Sequence, residues 1–561
     1  MTSSVFDAIV VGSGISGGWA AKELTERGAR VLLIDRGRMV RHGEDYPSEH
    51  KAPWEMPFHG FGDRLLYESD YAVQRRGRGF EEGSAHFFVN DREHPYKVEP
   101  GTRFSWLRGY QVGGRSLVWG RASFRLSDFN FGENKRDGHG IDWPIRYADI
   151  SPWYDHVERF IGVSGAREGI DSLPDGEFLP PFAMNCIEEH AKKGIERSFP
   201  GRRMINERTA VLSQDHNGRS ACHLCGPCQR GCSTGSYFST QSSTLPAAEA
   251  TERLTVMSDT IVAGVDYDPT LKRVTGVRTI NSKTGARETI TARLIFLNAS
   301  TLGTIHILLN SRSNAFPNGL ANSSGAVGRD IMDTVKGPII TGTFSGFEDQ
   351  QPIGNRPTGI YIPRFRNVAD RETDFLRGYG YQGSGSRALW TRGIDSRTIG
   401  ADLKAELRKP GPWTIMLGAM GEPLPNYDNV VRLDPNKTDK WGLPQLLVSH
   451  RWTANEERMA QDMADQGEAM MRAAGAVKVT TIREIKPAGE TNHEMGGARM
   501  GHDPREAVLN RFNQAHDIAN LFITDGSCMT SSPCQNPSLT YMALSARAAD
   551  FAMKQLKEGA L

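Results

Sequence analysis

The sequence contains no apolar run approaching the roughly 18 to 20 residues of a membrane-spanning helix, no internal repeat and no low-complexity tract. It also lacks an excess of either charge, with 67 Lys plus Arg against 66 Asp plus Glu. These absences argue against a membrane span and against nucleic-acid binding as the main activity. Met1–Val5 is not expected to be a signal peptide, because the first apolar run belongs to the strand described next.

The first 36 residues have the pattern of a strand, a tight turn, a helix and a second strand. The turn carries Gly12, Gly14 and Gly17, and the second apolar run ends on Asp35, followed by Arg36. In a dinucleotide-binding fold the three glycines permit the turn, the approach of a pyrophosphate and close helix packing. The acid at the end of the second strand contacts the ribose. We therefore predict dinucleotide binding by these five residues, the alternative being an ordinary glycine turn.

Cysteine is scarce and unevenly distributed. Four of the seven, Cys222, Cys225, Cys228 and Cys232, fall within eleven residues, with the spacing of the bacterial ferredoxin run but without its following proline. Thiolates at these intervals can surround three or four irons, so the spacing predicts an iron-sulfur cluster. Structural zinc and free or disulfide-bonded cysteines are the alternatives. The chain has no CxxCH segment, so any haem would belong to a partner.

The 561 residues, of which 38 % are hydrophobic, contain two kinds of predicted secondary-structure pattern. The N-terminal part and the last 70 or so residues have α/β character, whereas the part between them has short β-branched and aromatic pieces separated by turn signals. We predict an α/β protein in which a mostly antiparallel sheet domain is inserted into a discontinuous, Rossmann-like domain. The Rossmann-like domain is predicted at 1–330, including excursions at 36–100 and 130–200 and a cysteine loop at 218–240. The sheet domain is predicted at 331–490, and the chain returns to the Rossmann-like domain at 491–561.

Further motifs carry a resemblance to a known family. They are Gly113–Ser116, His493–Gly501, Asp525 with Gly526, and Asn536–Thr540. Together with the N-terminal turn, and in the same order, they resemble the glucose-methanol-choline (GMC) oxidoreductase family. The resemblance implies the GMC fold and FAD as the dinucleotide. The FAD is expected to be non-covalent, because the loop after Gly113 lacks the histidine that covalently flavinylated relatives carry there.

The resemblance also implies site residues. His493 and Asn536 would form the catalytic pair of an enzyme that passes a hydride from an alcohol to the flavin. A neutral imidazole, whose ordinary pKa is about 6.5, can accept the hydroxyl proton in that reaction. The implied FAD contacts are Gly113, Gly114, Ser116, Val262, Asp525, Gly526 and Asn536.

Within the family, the chain resembles bacterial FAD and iron-sulfur sugar dehydrogenases, most of all the catalytic subunit of glucoside 3-dehydrogenases. That resemblance implies oxidation of the C3 hydroxyl of glucosides or disaccharides to a ketone. Electrons would leave through a [3Fe-4S] or [4Fe-4S] cluster to a cytochrome c. It also implies a small subunit with a twin-arginine signal, which would carry the chain to the periplasm of a bacterium. Without such a partner the chain would be cytoplasmic.

Three alternatives stay open. The first is a pyranose-type oxidase that uses oxygen, with the cysteines holding a structural metal. The second is a dehydrogenase acting on C1 of glucose, on fructose, gluconate or sorbitol. The third is a non-catalytic electron-transfer flavoprotein subunit, against which the pair of His493 and Asn536 argues, because a relay needs no such pair.

Overall fold

The structure is a computed structural model that describes residues 6–369, 371–389, 392–393 and 396–561. Met1–Val5, on which the signal-peptide expectation partly rests, lie outside the described residues. The helices are α1 Ile15–Glu26, α2 Arg64–Asp70, α3 Asp128–Phe131, α4 Glu133–Asp137, α5 Tyr147–Ile161, α6 Cys186–Ser198, α7 Leu245–Glu249, α8 Thr301–Asn310, α9 Gly400–Leu407, α10 Ala454–Ala473 and α11 Ser538–Lys557.

The strands are β1 Phe6–Val11, β2 Val31–Ile34, β3 Lys97–Val98, β4 Val163–Ser164, β5 Phe178–Leu179, β6 Ile205–Asn206, β7 Leu254–Met257, β8 Thr260–Asp268, β9 Arg273–Asn281, β10 Arg287–Leu297, β11 Val335–Phe344, β12 Ile360–Ile362, β13 Tyr379–Arg387, β14 Trp413–Gly421, β15 Val430–Thr438, β16 Pro444–Ser449, β17 Lys478–Ile482 and β18 Leu521–Ile523.

The first sheet has the strand order β7-β2-β1-β10-β9-β8, with β18 paired to β10. Strands β2, β1, β10 and β18 run parallel, so their carboxyl ends meet at one edge. Ligands of such sheets bind at that edge. Strands β1 and β2 are almost entirely buried and apolar, as expected of a parallel sheet covered on both faces. Since β18 and α11 come from the C-terminal segment, the predicted discontinuous Rossmann-like domain is confirmed.

The second sheet has the order β17-β11-β14-β13-β12-β6, and every neighbouring pair in it is antiparallel. Helix α10 covers this sheet, and its Met459 and Met463 are fully buried in the shared core. The predicted antiparallel sheet is confirmed. Strand β13 was not anticipated because it is rich in glycine, yet the glycine is required here. A Cβ on Gly383 of β13 would lie 2.1 Å from the carbonyl oxygen of Met416 on β14, so the two backbones need a glycine at this close approach.

Some elements join layers that lie far from them in the chain. Helix α6 packs on the second sheet and β6 forms its edge, although both precede residue 331. Strand β3 pairs in parallel with β16 to complete a third sheet, β15-β16-β3. The domain boundaries drawn from the sequence stay a prediction. Among the described residues, no helix combines the length and the apolar character that a membrane span needs.

Candidate active site

A cavity of about 1350 Å³ opens at the carboxyl end of β1 and is lined by residues of the first and second sheets. Two of the predicted cofactor residues, Gly17 and Gly113, do not line it but hold its turn in place. A Cβ on Gly17 would lie 1.8 Å from the Gly12 carbonyl oxygen, and the Gly113 N–H donates to Ser13 Oγ over 2.7 Å. The other predicted cofactor residues line the cavity: Gly12, Gly14, Asp35, Arg36, Gly114, Ser116, Val262, Asp525, Gly526 and Asn536.

The glycine turn after β1 leaves its backbone open to the cavity. Gly12 has a φ of +93°, and a Cβ there would lie 2.3 Å from the Asn298 carbonyl oxygen. A Cβ on Gly14, in contrast, would meet no protein atom within 4 Å. The turn leads directly into α1, whose free N–H groups and positive dipole end favour a phosphate at this position.

Asp35 and Arg36 occupy the end of β2 next to this turn. The Asp35 carboxylate accepts hydrogen bonds from the backbone N–H of Ser13 (3.0 Å), from the Ser13 hydroxyl and from the Gly37 N–H (3.0 Å). Burial raises the pKa of Asp35 to about 6, although these bonds act to lower it. The Arg36 guanidinium stacks 3.9 Å from the ring centre of Tyr110. This corner therefore combines a buried acid with a cation held over an aromatic ring.

The residues present fit a bound FAD. The cradle contains two buried polar groups without a partner among the described residues, Asn298 Nδ2 and the Tyr541 hydroxyl, and both residues line the cavity. Asp525 also lines the cavity and is buried; it accepts from Thr304 Oγ1 (2.5 Å), and burial raises its pKa. Buried polar groups rarely stay unpaired, so an open glycine turn with unpartnered donors around it suits a polar dinucleotide.

His493 and Asn536 are brought together at the wall of the same cavity. His493 Nε2 lies 3.3 Å from Asn536 Nδ2, although the two residues are 43 positions apart. The backbone N–H of His493 donates to the buried carboxylate of Asp333 over 2.9 Å. Burial, together with the positive charges of Arg115 and Lys336, lowers the pKa of His493 to about 3. The imidazole is therefore neutral and able to accept a proton.

Several residues around this pair were missed in the sequence. Thr334 Oγ1 lies 3.1 Å from His493 Nδ1, and Gln382 Nε2 donates to Asn536 Oδ1. Arg115 forms an ion pair with Glu494, with an Nη2–Oε2 distance of 2.7 Å, and so ties the glycine loop to the histidine segment. Thr334 and Gln382 carry no local signal, because only folding brings them to the histidine. The opposite charges of Arg115 and Glu494, each inside a recognised motif, could have indicated their pair.

The four cysteines of the 218–240 segment lie near one another without forming a ligand set. Burial, together with the charges of Cys228, Cys225 and Cys232, raises the pKa of the Cys222 thiol to about 11. Within the described residues, however, no three His, Cys, Asp or Glu side chains are placed to hold a metal ion. Cys225 is exposed while the other three are half-buried. The predicted iron-sulfur ligation is thus not supported, and we derive no electron-transfer step through a cluster.

The segment is instead held by turns and by a neighbouring strand connection. Leu224 adopts a φ of +59°, and its backbone N–H donates to Cys222 Sγ over 3.4 Å. Asn355 clamps the loop through its own N–H to the Leu224 carbonyl (2.8 Å) and through Nδ2 to the Cys225 carbonyl (2.9 Å). Of the four cysteines, Cys228 lines the large cavity. The segment therefore forms part of the cavity wall.

Comparison with known proteins identifies the family of the chain. Family profiles described as GMC oxidoreductase match residues 6–335 and 425–545. The chain is 27 % identical to a 2-methyl-1,2-propanediol dehydrogenase of Mycolicibacterium austroafricanum, over 98 % of this chain and 96 % of that protein. It is 25 % identical to the fructose dehydrogenase large subunit of Gluconobacter japonicus, over 99 % and 98 % of the two chains.

Among solved structures, pyridoxine 4-oxidase from Mesorbium loti has the same fold, with a TM-score of 0.58 and 14 % identity over 97 % of this chain and 98 % of that one. The expected cofactor and reaction class follow from the family rather than from any single relative. On these grounds the chain belongs to the GMC oxidoreductase family and is an FAD-binding enzyme that acts on CH–OH groups.

Proposed function

We propose that this chain is an FAD-dependent dehydrogenase that oxidises a secondary hydroxyl of a sugar, at C3 of a glucoside or disaccharide, to a ketone. The observation that carries the proposal is the pair of His493 Nε2 and Asn536 Nδ2, 3.3 Å apart, on the wall of the cavity that also holds the dinucleotide cradle. A base and an amide donor at a flavin-binding cavity suit alcohol oxidation. An electron-transfer subunit without its own substrate has no use for them.

The chemistry follows from the protonation state of the pair. Neutral His493 accepts the hydroxyl proton of the substrate at Nε2. Asn536 Nδ2 donates to the same oxygen and stabilises the negative charge that grows on it. Bound FAD supplies the hydride acceptor. Because burial lowers the pKa of His493 to about 3, the imidazole is unprotonated at neutral pH and its lone pair is available.

The chemical character of the cavity supports a sugar as the substrate. Beyond the cofactor cradle, its wall contains amide and guanidinium groups together with an aromatic ring: Phe182, Gln350, Asn355, Arg356 and Arg387. A sugar needs several hydrogen-bonding partners for its hydroxyls and an aromatic surface for its apolar ring face. The two relatives, a diol dehydrogenase and a fructose dehydrogenase by name, support a polyol or sugar substrate and a dehydrogenase.

We also propose that the electrons leave the flavin to a partner protein. A small subunit, a cytochrome c acceptor and a periplasmic location follow from the resemblance, and the name of the fructose dehydrogenase relative, a large subunit, supports a multi-chain enzyme. An iron-sulfur cluster is retained only as a prediction from the cysteine spacing. Iron and sulfide analysis of anaerobically purified protein tests that prediction separately from the sugar chemistry.

The deciding experiment uses methyl glucoside, in which oxidation at C1 is blocked. The anaerobic, flavin-loaded enzyme is mixed with substrate, and bleaching of the flavin is followed. We expect bleaching with a 3-keto product, slowed by deuterium at C3 and not by deuterium at C2 or C4. Oxidation of free glucose but not of the methyl glucoside would indicate C1 chemistry instead. Rapid oxygen consumption with peroxide formation would indicate an oxidase.

A further inference from the structure

We propose that Thr334 and Gln382 are positioning residues that fix where the protons of the His493 and Asn536 pair lie. The inference rests on the proposed alcohol oxidation, because it concerns the same pair. A base needs a free lone pair aimed at the substrate, and a neutral imidazole has only one. Catalysis therefore depends on which of the two ring nitrogens carries the proton. The residues that hydrogen-bond to the ring determine this.

The chain of hydrogen bonds begins at a group that can only accept. Thr334 Oγ1 lies 3.3 Å from the carbonyl oxygen of Pro533 and 3.1 Å from His493 Nδ1. The carbonyl has no hydrogen to give, so the single hydroxyl hydrogen of Thr334 points to Pro533. The hydroxyl oxygen is then left to accept from Nδ1–H. This arrangement places the proton of His493 on Nδ1 and leaves Nε2 unprotonated.

The same direction continues through the amide of Asn536. Before substrate binds, the group that donates to the Nε2 lone pair of His493 is the amide nitrogen of Asn536, 3.3 Å away. A substrate hydroxyl would take this place at Nε2, and the same amide would then donate to the substrate oxygen. Its amide oxygen then faces the Nε2 hydrogens of Gln382. The Pro533 carbonyl can only accept, and it thereby sets the hydrogen-bond direction of every rotatable group in the series: Thr334, His493, Asn536 and Gln382.

The opposite orientation satisfies fewer groups. If His493 carried its proton on Nε2, Nδ1 would have to accept from Thr334, and the Pro533 carbonyl would lose the hydroxyl. Asn536 would also have to turn its oxygen to the histidine and its nitrogen to the Gln382 amide nitrogen, where two donors would meet unless Gln382 turned as well. The buried hydroxyl of Thr334 thus favours one tautomer by the bond it makes on its far side.

The residues of this hydrogen-bond series lie on three separate segments of the fold. Thr334 immediately precedes β11, and its neighbour Asp333 accepts from the backbone N–H groups of Gly489, Thr491 and His493. Asp333 therefore holds the backbone of the histidine segment, while Thr334 holds the ring. Gln382 lies on β13, the strand that sequence patterns did not reveal. The second sheet thus contributes the residue that orients the amide of Asn536.

The first test compares Thr334→Val with Thr334→Ser in the flavin-loaded enzyme. Valine keeps the shape and removes the hydroxyl, whereas serine keeps the hydroxyl. We expect Thr334→Val to lower kcat and the flavin-reduction rate constant about 10- to 100-fold, with KM nearly unchanged, as for one buried hydrogen bond lost in the transition state. Thr334→Ser should stay within about threefold of the wild type. Equal kcat values for all three proteins would overturn the proposal.

A second readout does not depend on turnover. In protein with nitrogen-15-labelled histidine, the ring-nitrogen shifts of His493, assigned by comparison with His493→Gln, report its tautomer. We expect the wild type to carry the proton on Nδ1 and Thr334→Val to populate the Nε2–H form. An Nε2–H tautomer in the wild type would refute the proposal whatever the substrate is. If no sugar or alcohol is oxidised while this tautomer is found, the proposed function fails and the positioning role stands.

Gln382 is tested by the separation of kcat from KM. Gln382→Leu removes the donor to Asn536 and should lower kcat about 10-fold with a smaller change in KM. An increase in KM alone would mean that Gln382 binds the substrate directly and does not orient Asn536. Thermal unfolding and flavin content of each variant separate a loss of fold from a loss of positioning.

Discussion

Replacement of Arg364 by methionine is expected to destabilise the protein strongly. Arg364 follows β12 and lies between two carboxylates, Glu133 at 2.6 Å and Glu422, and all three side chains are at most 3 % exposed. Without the guanidinium, the buried Glu422 carboxylate would lose its ion pair, and Glu133 would keep only the half-exposed Arg136 at 3.1 Å. Breaking a buried ion pair by removing one partner costs about 3–5 kcal/mol. For a chain of 561 residues this corresponds to a fall of about 2.5–4 °C in the thermal midpoint.

The pH dependence of this loss has a definite sign. Burial raises the pKa of Glu422 from its ordinary value of 4.5 to about 7, although Arg364 acts to lower it. A carboxyl whose folded-state pKa lies above its unfolded-state value destabilises the fold as the pH rises through that interval. Removal of Arg364 raises the folded-state pKa of Glu422 further, so the interval extends above pH 7. We therefore expect Arg364→Met to lose more stability, relative to the wild type, at pH 8 than at pH 6.

A matched control is available on the surface. Arg483 also pairs with two carboxylates, Asp465 at 2.8 Å and Glu468 at 2.7 Å, but it is 42 % exposed. Arg483→Met should cost at most about 1 kcal/mol. Thermal unfolding of both variants at the two pH values, with Arg364→Lys as a variant that keeps the charge, completes the test. Equal losses for the two methionine variants, or a greater loss at pH 6, would refute the reasoning.

The same network reaches the active site. The Glu422 carboxylate accepts from the backbone N–H of Cys534 over 3.3 Å, two residues before Asn536. Arg364→Met should therefore also lower kcat in protein that is still folded at the assay temperature. The surface variant Arg483→Met should leave kcat unchanged, because Arg483 contacts no residue of the site.

Three further outcomes are expected. His493→Gln should lower the rate constant of flavin reduction by about 100- to 10,000-fold while FAD stays bound, as measured by stopped-flow absorbance. Gly14→Ala should keep the thermal midpoint of the apoprotein but reduce the flavin content after dialysis, whereas Gly12→Ala should lower the midpoint itself, because its Cβ would lie 2.3 Å from the Asn298 carbonyl oxygen. The flavin-reduction rate constant should show no acid limb at the ordinary histidine pKa of 6.5, since burial lowers the pKa of His493 to about 3.

A contrary result would contradict each of these three predictions in a specific way. Full activity of His493→Gln would remove the histidine from the chemistry. Normal flavin content of Gly14→Ala would mean that the phosphates lie away from this turn. An acid limb at pH 6.5 would mean that His493 is more solvated in the flavin-loaded enzyme than its burial here indicates.

The parts of the molecule that depend on local rules could be predicted from the sequence. Three features consist of residues that are close together in the chain. They are the glycine turn with Asp35, the change in secondary-structure pattern along the chain, and the two motifs around His493 and Asn536. A turn that requires φ of +93° at Gly12 restricts its own sequence strongly, and so it leaves a readable pattern. The fold class and the family followed from such patterns.

The rest depended on contacts between distant segments. Strand β13 is hidden by the glycines that its neighbours require, and Thr334, Gln382 and Arg364 acquire their partners only when the sheets pack. The cysteine spacing was readable, but spacing does not determine whether four thiols converge, since that depends on how the loop is held by Asn355 and its own turns. The sequence by itself thus determined the dinucleotide fold and predicted His493 and Asn536 as the catalytic pair. Only the tertiary structure decided which residues orient that pair, because hydrogen-bond direction depends on atoms that the chain brings together from far apart.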